Sequence, residues 1–318
     1  SGVNYAMVLL DLVKAFERIP HHVVVREALR HGYPIWLVRL SLAAYRLQRV
    51  VRVGTAVSRT MVATRGITAG SGFATSELRV IMITIVDAAC IAHPSCSPTV
   101  YVDDVGIEGS GPRGFVEKHV VGFAKVVCTL MEGDDLELSA TKNLCTASSD
   151  ALGASIAAQL KDWNVKYEKL VKSHCAGLGA GRRRNTRTAK KRPQAFKARR
   201  SRFASLKRAG VDTARVLRTG GTAAMAYGQA AMGVAPSMLL LQRRAAEQAS
   251  APRGGGAGRQ LGLALILADG SAKGKADPAF AAHSDPIGQW ATAVWEEWLP
   301  ISALIRMTAA ALKKLAVA

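Results

Sequence analysis

The sequence predicts an α+β fold: a domain built on an antiparallel sheet with packed helices, followed by a run of basic helices. Three observations predict it. A β-compatible apolar run, Tyr5 to Leu12, reaches a carboxylate at Asp11 before helix-compatible residues take over. Two short apolar stretches, Pro98 to Val102 and Val105 to Glu108, flank Asp103-Asp104 and so read as a hairpin with both acids at its turn. Beyond Gly179 the composition changes, with 13 basic and no acidic side chains between Arg182 and Arg208, interleaved with helix formers.

Taken in order, the first strand is followed by a helical stretch, Val13 to Ile19, which Pro20 breaks. His22 to His31 and Pro34 to Leu47 carry apolar residues at helical spacing, separated by the stop signal His31-Gly32-Tyr33-Pro34. Val50 to Val53 and Thr60 to Ala63 flank a Gly-Thr turn and read as a hairpin. Gly66, Gly70 and Gly72 then form a loop whose backbone is expected to approach a ligand, before a helix from about Phe73 to Ile91. After the acidic hairpin come a helix from Phe115 to Met131 and short strands near Leu136–Leu138, Asn143–Ala147 and Val171–Leu178. The result is a β-α-β-β-α-β order with antiparallel pairing. The basic segment and the Ala-rich helices to residue 250 form a second region, and Pro252-Arg253-Gly254-Gly255-Gly256 reads as a hinge before a helical stretch over 251–318. In that stretch Trp290, Trp295 and Trp298 read as a packed helix face.

Composition narrows the function classes. A chain of 318 residues with 49% hydrophobic content can bury a core, and 43 Lys+Arg against 23 Asp+Glu gives +20, which points to a polyanionic partner such as nucleic acid. Five scattered cysteines disfavour a disulfide framework and favour an intracellular, reducing setting, nucleus or cytoplasm. Cys90, His93 and Cys96 are interrupted by Pro94 and lack a second ligand pair, so they read as core residues rather than a zinc knuckle. The longest apolar run, Val80 to Ala92, contains Asp87 and is too short to span a bilayer, so no membrane span is expected.

One acid at a strand end and two at the turn of an adjacent hairpin is a pattern by which a sheet can hold a pair of Mg²⁺ ions. Phosphoryl transfer needs an activated hydroxyl, in-line geometry and neutralised phosphates, and two such ions about 3.5–4 Å apart on oxygen ligands supply all three. Tyr101-Val102-Asp103-Asp104 and Leu10-Asp11-Leu12-Val13-Lys14-Ala15-Phe16, with His22, resemble the palm motifs of reverse transcriptases, particularly those of non-LTR retrotransposons. In order along the chain, Arg65-Gly66-Ile67-Thr68-Ala69-Gly70 is similar to that family's template and nucleotide loop, and Leu136-Glu137-Leu138 with Lys142 to its next motif. Leu178-Gly179 resembles the turn that grips the primer end, and the basic helices beyond resemble the thumb. The resemblance covers roughly residues 1–245.

It implies a polymerase palm over 1–180 with a ferredoxin-like core, a basic helical thumb over 181–250 and a helical extension over 251–318. It further implies an RNA-directed DNA polymerase that uses an RNA template, a DNA primer and deoxynucleoside triphosphates. Asp11, Asp103 and Asp104 would be its catalytic acids and, with the Leu12 carbonyl, the ligands of two Mg²⁺, which Mn²⁺ could replace. Phe16 matches the position of a steric gate against a 2′-hydroxyl, Arg65, Gly66 and Gly70 match the nucleotide loop, and Lys142 would meet the departing pyrophosphate. Arg182, Arg183, Arg184, Arg187, Lys190, Lys191, Arg192, Lys197, Arg199 and Arg200 would take nucleic-acid phosphates. The sequence departs from the family at Ala69, where most relatives have glutamine, and at Ser71-Gly72-Phe73-Ala74, which replaces a small-Pro-Leu-Ser-Pro run. It also opens at the first carboxylate motif, so a fragment without the family's preceding fingers segment is expected. Two rivals follow: a nucleic-acid-binding remnant without turnover, and an RNA-templated RNA polymerase, with which Phe16 conflicts. Oligomeric state is not legible.

Overall fold

The opening apolar run forms a strand, β1 (Asn4–Asp11), in a computed structural model that describes residues 3–68, 70–173, 176–178, 186–250, 261–270, 274–298 and 300–315. The chain divides into two compact units, the first covering Ser1–Val171 with Gly179–Arg183 and the second Lys172–Leu178 with Arg184–Ala318.

In the first unit β1 leads into α1 (Ala15–Arg18), α2 (His21–Arg30), α3 (Ile35–Tyr45), the small hairpin β2 (Arg52–Val53) and β3 (Ala56–Val57), and α4 (Ala74–Ala92). The hairpin β4 (Ser97–Tyr101) and β5 (Asp104–Gly111), α5 (Arg113–Gly133), β6 (Leu144–Ala147), α6 (Asp150–Gln159) and β7 (Lys166–Tyr167) complete it. The sheet order is β4-β5-β1-β6-β7, with β1 in the centre and antiparallel to both neighbours. That is the β-α-β-β-α-β order expected, folded as a split β-α-β unit. The sheet is mixed rather than wholly antiparallel, because β7 pairs parallel with β6.

The core follows from two periodicities. Ala6, Val8 and Leu10 of β1, with Val105 and Ile107 of β5, point to one face and are buried. Against them lie Leu78, Ile81, Met82, Ile85 and Ala89 of α4, and Val116, Val120, Phe123, Val127 and Met131 of α5, spaced as one stripe on each helix. The alternate residues of β1, ending in Asp11, therefore occupy the opposite face of the sheet.

Several expected elements differ in extent. The helix of Val13–Ile19 shrinks to α1, because Lys14 adopts a left-handed conformation (φ 49°) that turns the chain before the helix starts. The small hairpin turns at Gly54-Thr55 as expected, but its second strand is Ala56–Val57, with Met61 reached only by a bridge to Arg49. Leu136–Leu138 is no strand; Leu138 makes a single bridge to Leu12. Val171–Leu178 forms a separate two-stranded sheet, β8 (Val171–Ser173) and β9 (Ala176–Leu178).

The second unit is helical beyond β9: α7 (Arg187–Lys197), α8 (Arg200–Arg208), α9 (Thr213–Val216), a π turn over Leu217–Gly221, α10 (Thr222–Ala226), α11 (Gln229–Met232), α12 (Pro236–Ser250), α13 (Leu261–Asp269), α14 (Pro278–Trp295) and α15 (Ile301–Leu315). Phe196, Phe203, Leu217, Met225 and Ala246 share one core with Leu265, Ala268 and Ala276. Helices before and after 251–260 thus belong to a single unit, and the boundary expected at residue 251 does not separate two cores. The tryptophans are not a packed face: Trp290, Trp295 and Trp298 are 51%, 88% and 57% exposed. Among the described residues no helix is long and apolar enough to cross a membrane.

Candidate active site at the end of the sheet

Strand register brings two of the three acids, Asp11 and Asp104, together and leaves Asp103 in the adjoining turn. In the β1–β5 ladder Asp11 stands directly opposite Asp104, and in the β4–β5 hairpin Asp104 stands opposite Tyr101, leaving Val102-Asp103 as the two turn residues. Directly opposed residues project to the same face with Cβ atoms about 4.5–5.5 Å apart, so the carboxylates of Asp11 and Asp104 share one face at one end of the sheet. Both residues are half-buried. The turn that carries Asp103 is conformationally costly, since the β-branched Val102 sits at φ 60°, a region that disfavours such side chains.

One loop wraps Asp11. Its amide donates to the Asn143 Oδ1 at 3.0 Å, its carbonyl accepts from the Ser139 amide at 2.8 Å, and its carboxylate takes both bonds of the Lys142 ammonium, at 2.9 and 3.2 Å. The Asp11 hydrogen bond and charge, helped by Asp103 and Asp104, push the Lys142 pKa up. Asn143, fully buried, donates onward to the Trp163 carbonyl, and the buried Ser139 hydroxyl accepts from the Thr141 and Lys142 amides to shape the turn. Next to it, the Leu12–Leu138 bridge is made through the carbonyls of Asp11 and Glu137, so the Leu12 carbonyl does not serve that pairing.

A second cluster forms around Phe16. The Ile67 amide donates to the Phe16 carbonyl at 2.6 Å, the Gly66 amide to the Ile19 carbonyl at 2.8 Å, and the His21 ring donates through Nε2 to the Gly66 carbonyl at 3.0 Å. Phe16, Arg65 and Gly66 are thereby brought together, with the Phe16 ring packed partly against the main core. Gly66 also has an internal reason to be glycine. At φ 98° a Cβ there would lie 2.9 Å from the Glu17 carbonyl oxygen. Gly70 also has positive φ, 91°, but open space around it, and no contact ties it to either cluster. The exposed Arg65 guanidinium pairs with Asp135 at 3.0 Å. Ala69 lies outside the described residues.

Of the expected phosphate contacts, Lys190, Lys191, Lys197, Arg199 and Arg200 are exposed on α7, α8 and the link between them. Arg192 has a partner within the helical unit: its guanidinium donates to the Tyr227 carbonyl and lies 4.7 Å from the centre of the Tyr227 ring. Arg187 begins α7, while Arg182, Arg183, Arg184 and the expected primer turn at Gly179 lie outside the described residues.

Among the described residues no three His, Cys, Asp or Glu side chains converge tightly enough to form a metal-ligand group. Cys90, His93 and Cys96 accordingly make none; the His93 ring instead packs edge-on to His119, and burial pushes the Cys96 thiol up to about 11. Sequence reasoning missed Asn143 and Ser139, the two residues that fix Asp11, and Asp135, the partner of Arg65. Asn143 directly after Lys142 was the available signal. Comparison with protein-family models gives no match, and neither does comparison with curated proteins.

Proposed function

We propose that the chain is an RNA-directed DNA polymerase of the non-LTR retrotransposon kind, with residues 1–180 acting as palm and the basic helical unit that follows as thumb. The observation that carries this reading is the opposition of Asp11 and Asp104 across β1 and β5, beside the strained turn that holds Asp103. Two acids opposed on a sheet repel one another and so favour a cation beside them, and the ammonium of Lys142 already sits on Asp11. The donors are all hard oxygens, so the site suits Mg²⁺, or Mn²⁺ in its place, held by Asp11, Asp103, Asp104 and the Leu12 carbonyl. Such ions supply charge neutralisation for a triphosphate and a lowered pKa for the primer 3′-hydroxyl.

The chain's own residues do the positioning. The central strand and the hairpin hold the carboxylates on rigid elements. Phe16, tied through its carbonyl to Ile67, offers a fixed ring against the sugar of a deoxynucleotide. Arg65 and Lys142 bring positive charge to the nucleotide and its leaving group, and Lys190, Lys191, Lys197, Arg199 and Arg200 offer sequence-independent contacts to the RNA template and DNA primer.

A nucleic-acid-binding protein without turnover is the rival reading, favoured by Ser71-Gly72-Phe73-Ala74 in the loop and by the seating of Lys142 on Asp11. Extension of a primed RNA template with deoxynucleotides and Mg²⁺ decides between them. Product from the wild type that disappears in Asp103→Asn supports the polymerase. Tight binding of primed template with no extension by folded wild-type protein leaves only the rival.

A further inference from the structure

The loop 139–143 engages every polar part of Asp11: amide, carbonyl and both carboxylate oxygens. Its two anchors are buried, Asn143 at 0% and Ser139 at 5% exposure, whereas the Lys142 side chain is 67% exposed. The frame is therefore fixed and the ammonium alone is free to leave. From the open side of the sheet, the charges of Asp103 and Asp104 act on the same ammonium.

We infer that Lys142 is a built-in counter-ion of the carboxylate cluster, competing with divalent cations for Asp11 and released from it when one binds. It is a positioning residue: it holds the like-charged acids at the end of the sheet and vacates Asp11 to a stronger cation. The inference rests on the polymerase reading only in taking the carboxylates as a divalent-cation site. Direct competition follows from the geometry, since one Nζ occupies the bidentate position between both oxygens of Asp11 and a cation taking that position displaces it. Release also gives the displaced ammonium a task, because the exposed four-carbon stem can swing toward any phosphate brought to the same site.

The test uses the full chain and Mn²⁺ alone, followed by the loss of the free-ion signal in electron paramagnetic resonance. Lys142→Met removes the charge at an exposed position and is expected to bind Mn²⁺ roughly three- to ten-fold more tightly than wild type at low salt, the scale of an exposed ion pair plus the lost repulsion. Lys142→Arg, whose planar fork fits a carboxylate better, is expected to bind no more tightly than wild type. Asp11→Asn is expected to weaken binding in all backgrounds, and the gap between Met and wild type should narrow at high salt. A Met variant equal to or weaker than wild type overturns the inference, as does an Arg variant tighter than wild type, or an absence of Mn²⁺ binding dependent on Asp11. Primer extension is scored separately: a wild type that extends nothing while the Mn²⁺ order holds removes the polymerase and keeps the counter-ion.

Discussion

Asp11 and Asp104 stand directly opposite one another in the β1–β5 ladder, at the end of the sheet where the β4–β5 hairpin turns. Like charges so placed cost about 0.2–1 kcal/mol, a repulsion that the Lys142 ammonium on Asp11 lessens and a divalent cation would lessen further. Asp104→Asn should therefore melt at a higher temperature than wild type in the presence of a chelator, by an increment within that range. Mg²⁺ should raise the melting temperature of wild type and do little for the variant, since only binding to the folded state shifts the equilibrium. Parallel thermal melts with and without Mg²⁺ check both halves, and a wild type indifferent to Mg²⁺ refutes the second.

Gly66 and Gly70 have nearly the same backbone angle and different surroundings, which separates two costs usually merged. Alanine at Gly70 meets only the positive-φ penalty, about 1–2 kcal/mol. At Gly66 the added carbon also meets the Glu17 carbonyl at 2.9 Å, and relieving that contact pulls on the bond between Ile67 and Phe16. Gly66→Ala should cost at least about 1 kcal/mol more than Gly70→Ala in urea unfolding. Equal losses would mean that the loop does not need its close approach to α1.

Much of the first unit was legible in the sequence because its signals are local. The alternation of Ala6, Val8 and Leu10, the stripe from Leu78 to Ala89, and the apolar flanks of Asp103-Asp104 each fix an element and its buried face. What was not legible depends on partners far along the chain. Leu136–Leu138 has the composition of a strand but finds only the last residues of the central strand to pair with, and a single bridge results. The parallel addition of Lys166–Tyr167 to β6 depends on the length of the helix between them. Gly66 was legible as a site of close approach, but the Glu17 carbonyl that approaches it was not. The roles of Asn143 and Ser139 were hard to read because their partner, Asp11, is more than a hundred residues away, and only the adjacency of Asn143 to Lys142 hinted at one of them. The tryptophans misled for another reason: their spacing is helical, but α14 buries only Pro278 and leaves the rings of Trp290 and Trp295 outward, while Trp298 lies past its end.

Glu27 joins α2 to α4 with its carboxylate fully buried. Burial alone would raise its pKa. Hydrogen bonds from Thr84 and Arg26, with the charges of Arg26 and Arg30, outweigh that and hold the carboxyl below its ordinary value. A carboxyl depressed in the folded state contributes stability that is complete above its unfolded pKa and is lost as pH falls through the folded value. Glu27→Gln should therefore be less stable than wild type near neutrality by about 1–3 kcal/mol. The difference should shrink steadily in acid, below the ordinary glutamate pKa of about 4.3. Chemical denaturation across a pH series checks this, and a gap that stays constant into acid would show that the carboxylate charge is not what joins the helices.

Lys190, Lys191 and Arg192 are consecutive and basic, yet they face different tasks. The two lysines are exposed and available to phosphates, whereas Arg192 sits over the Tyr227 ring and donates to the same residue's carbonyl. Each lysine that contacts a phosphate releases counterions, so its removal should lower the slope of log affinity against log salt by about 0.7–0.9. Lys190→Ala and Lys191→Ala are expected to show that reduction without changing base preference, because such contacts carry no sequence information. Arg192→Ala is expected to leave the slope unchanged and to destabilise the helical unit instead, by about 0.5–1.5 kcal/mol for the solvent-exposed cation–π contact and the lost hydrogen bond. Fluorescence anisotropy with a primed RNA template over a salt series, paired with thermal melts, separates the two classes. If Arg192→Ala flattens the salt dependence as the lysine variants do, the guanidinium belongs to the nucleic-acid surface and Tyr227 is only its resting place.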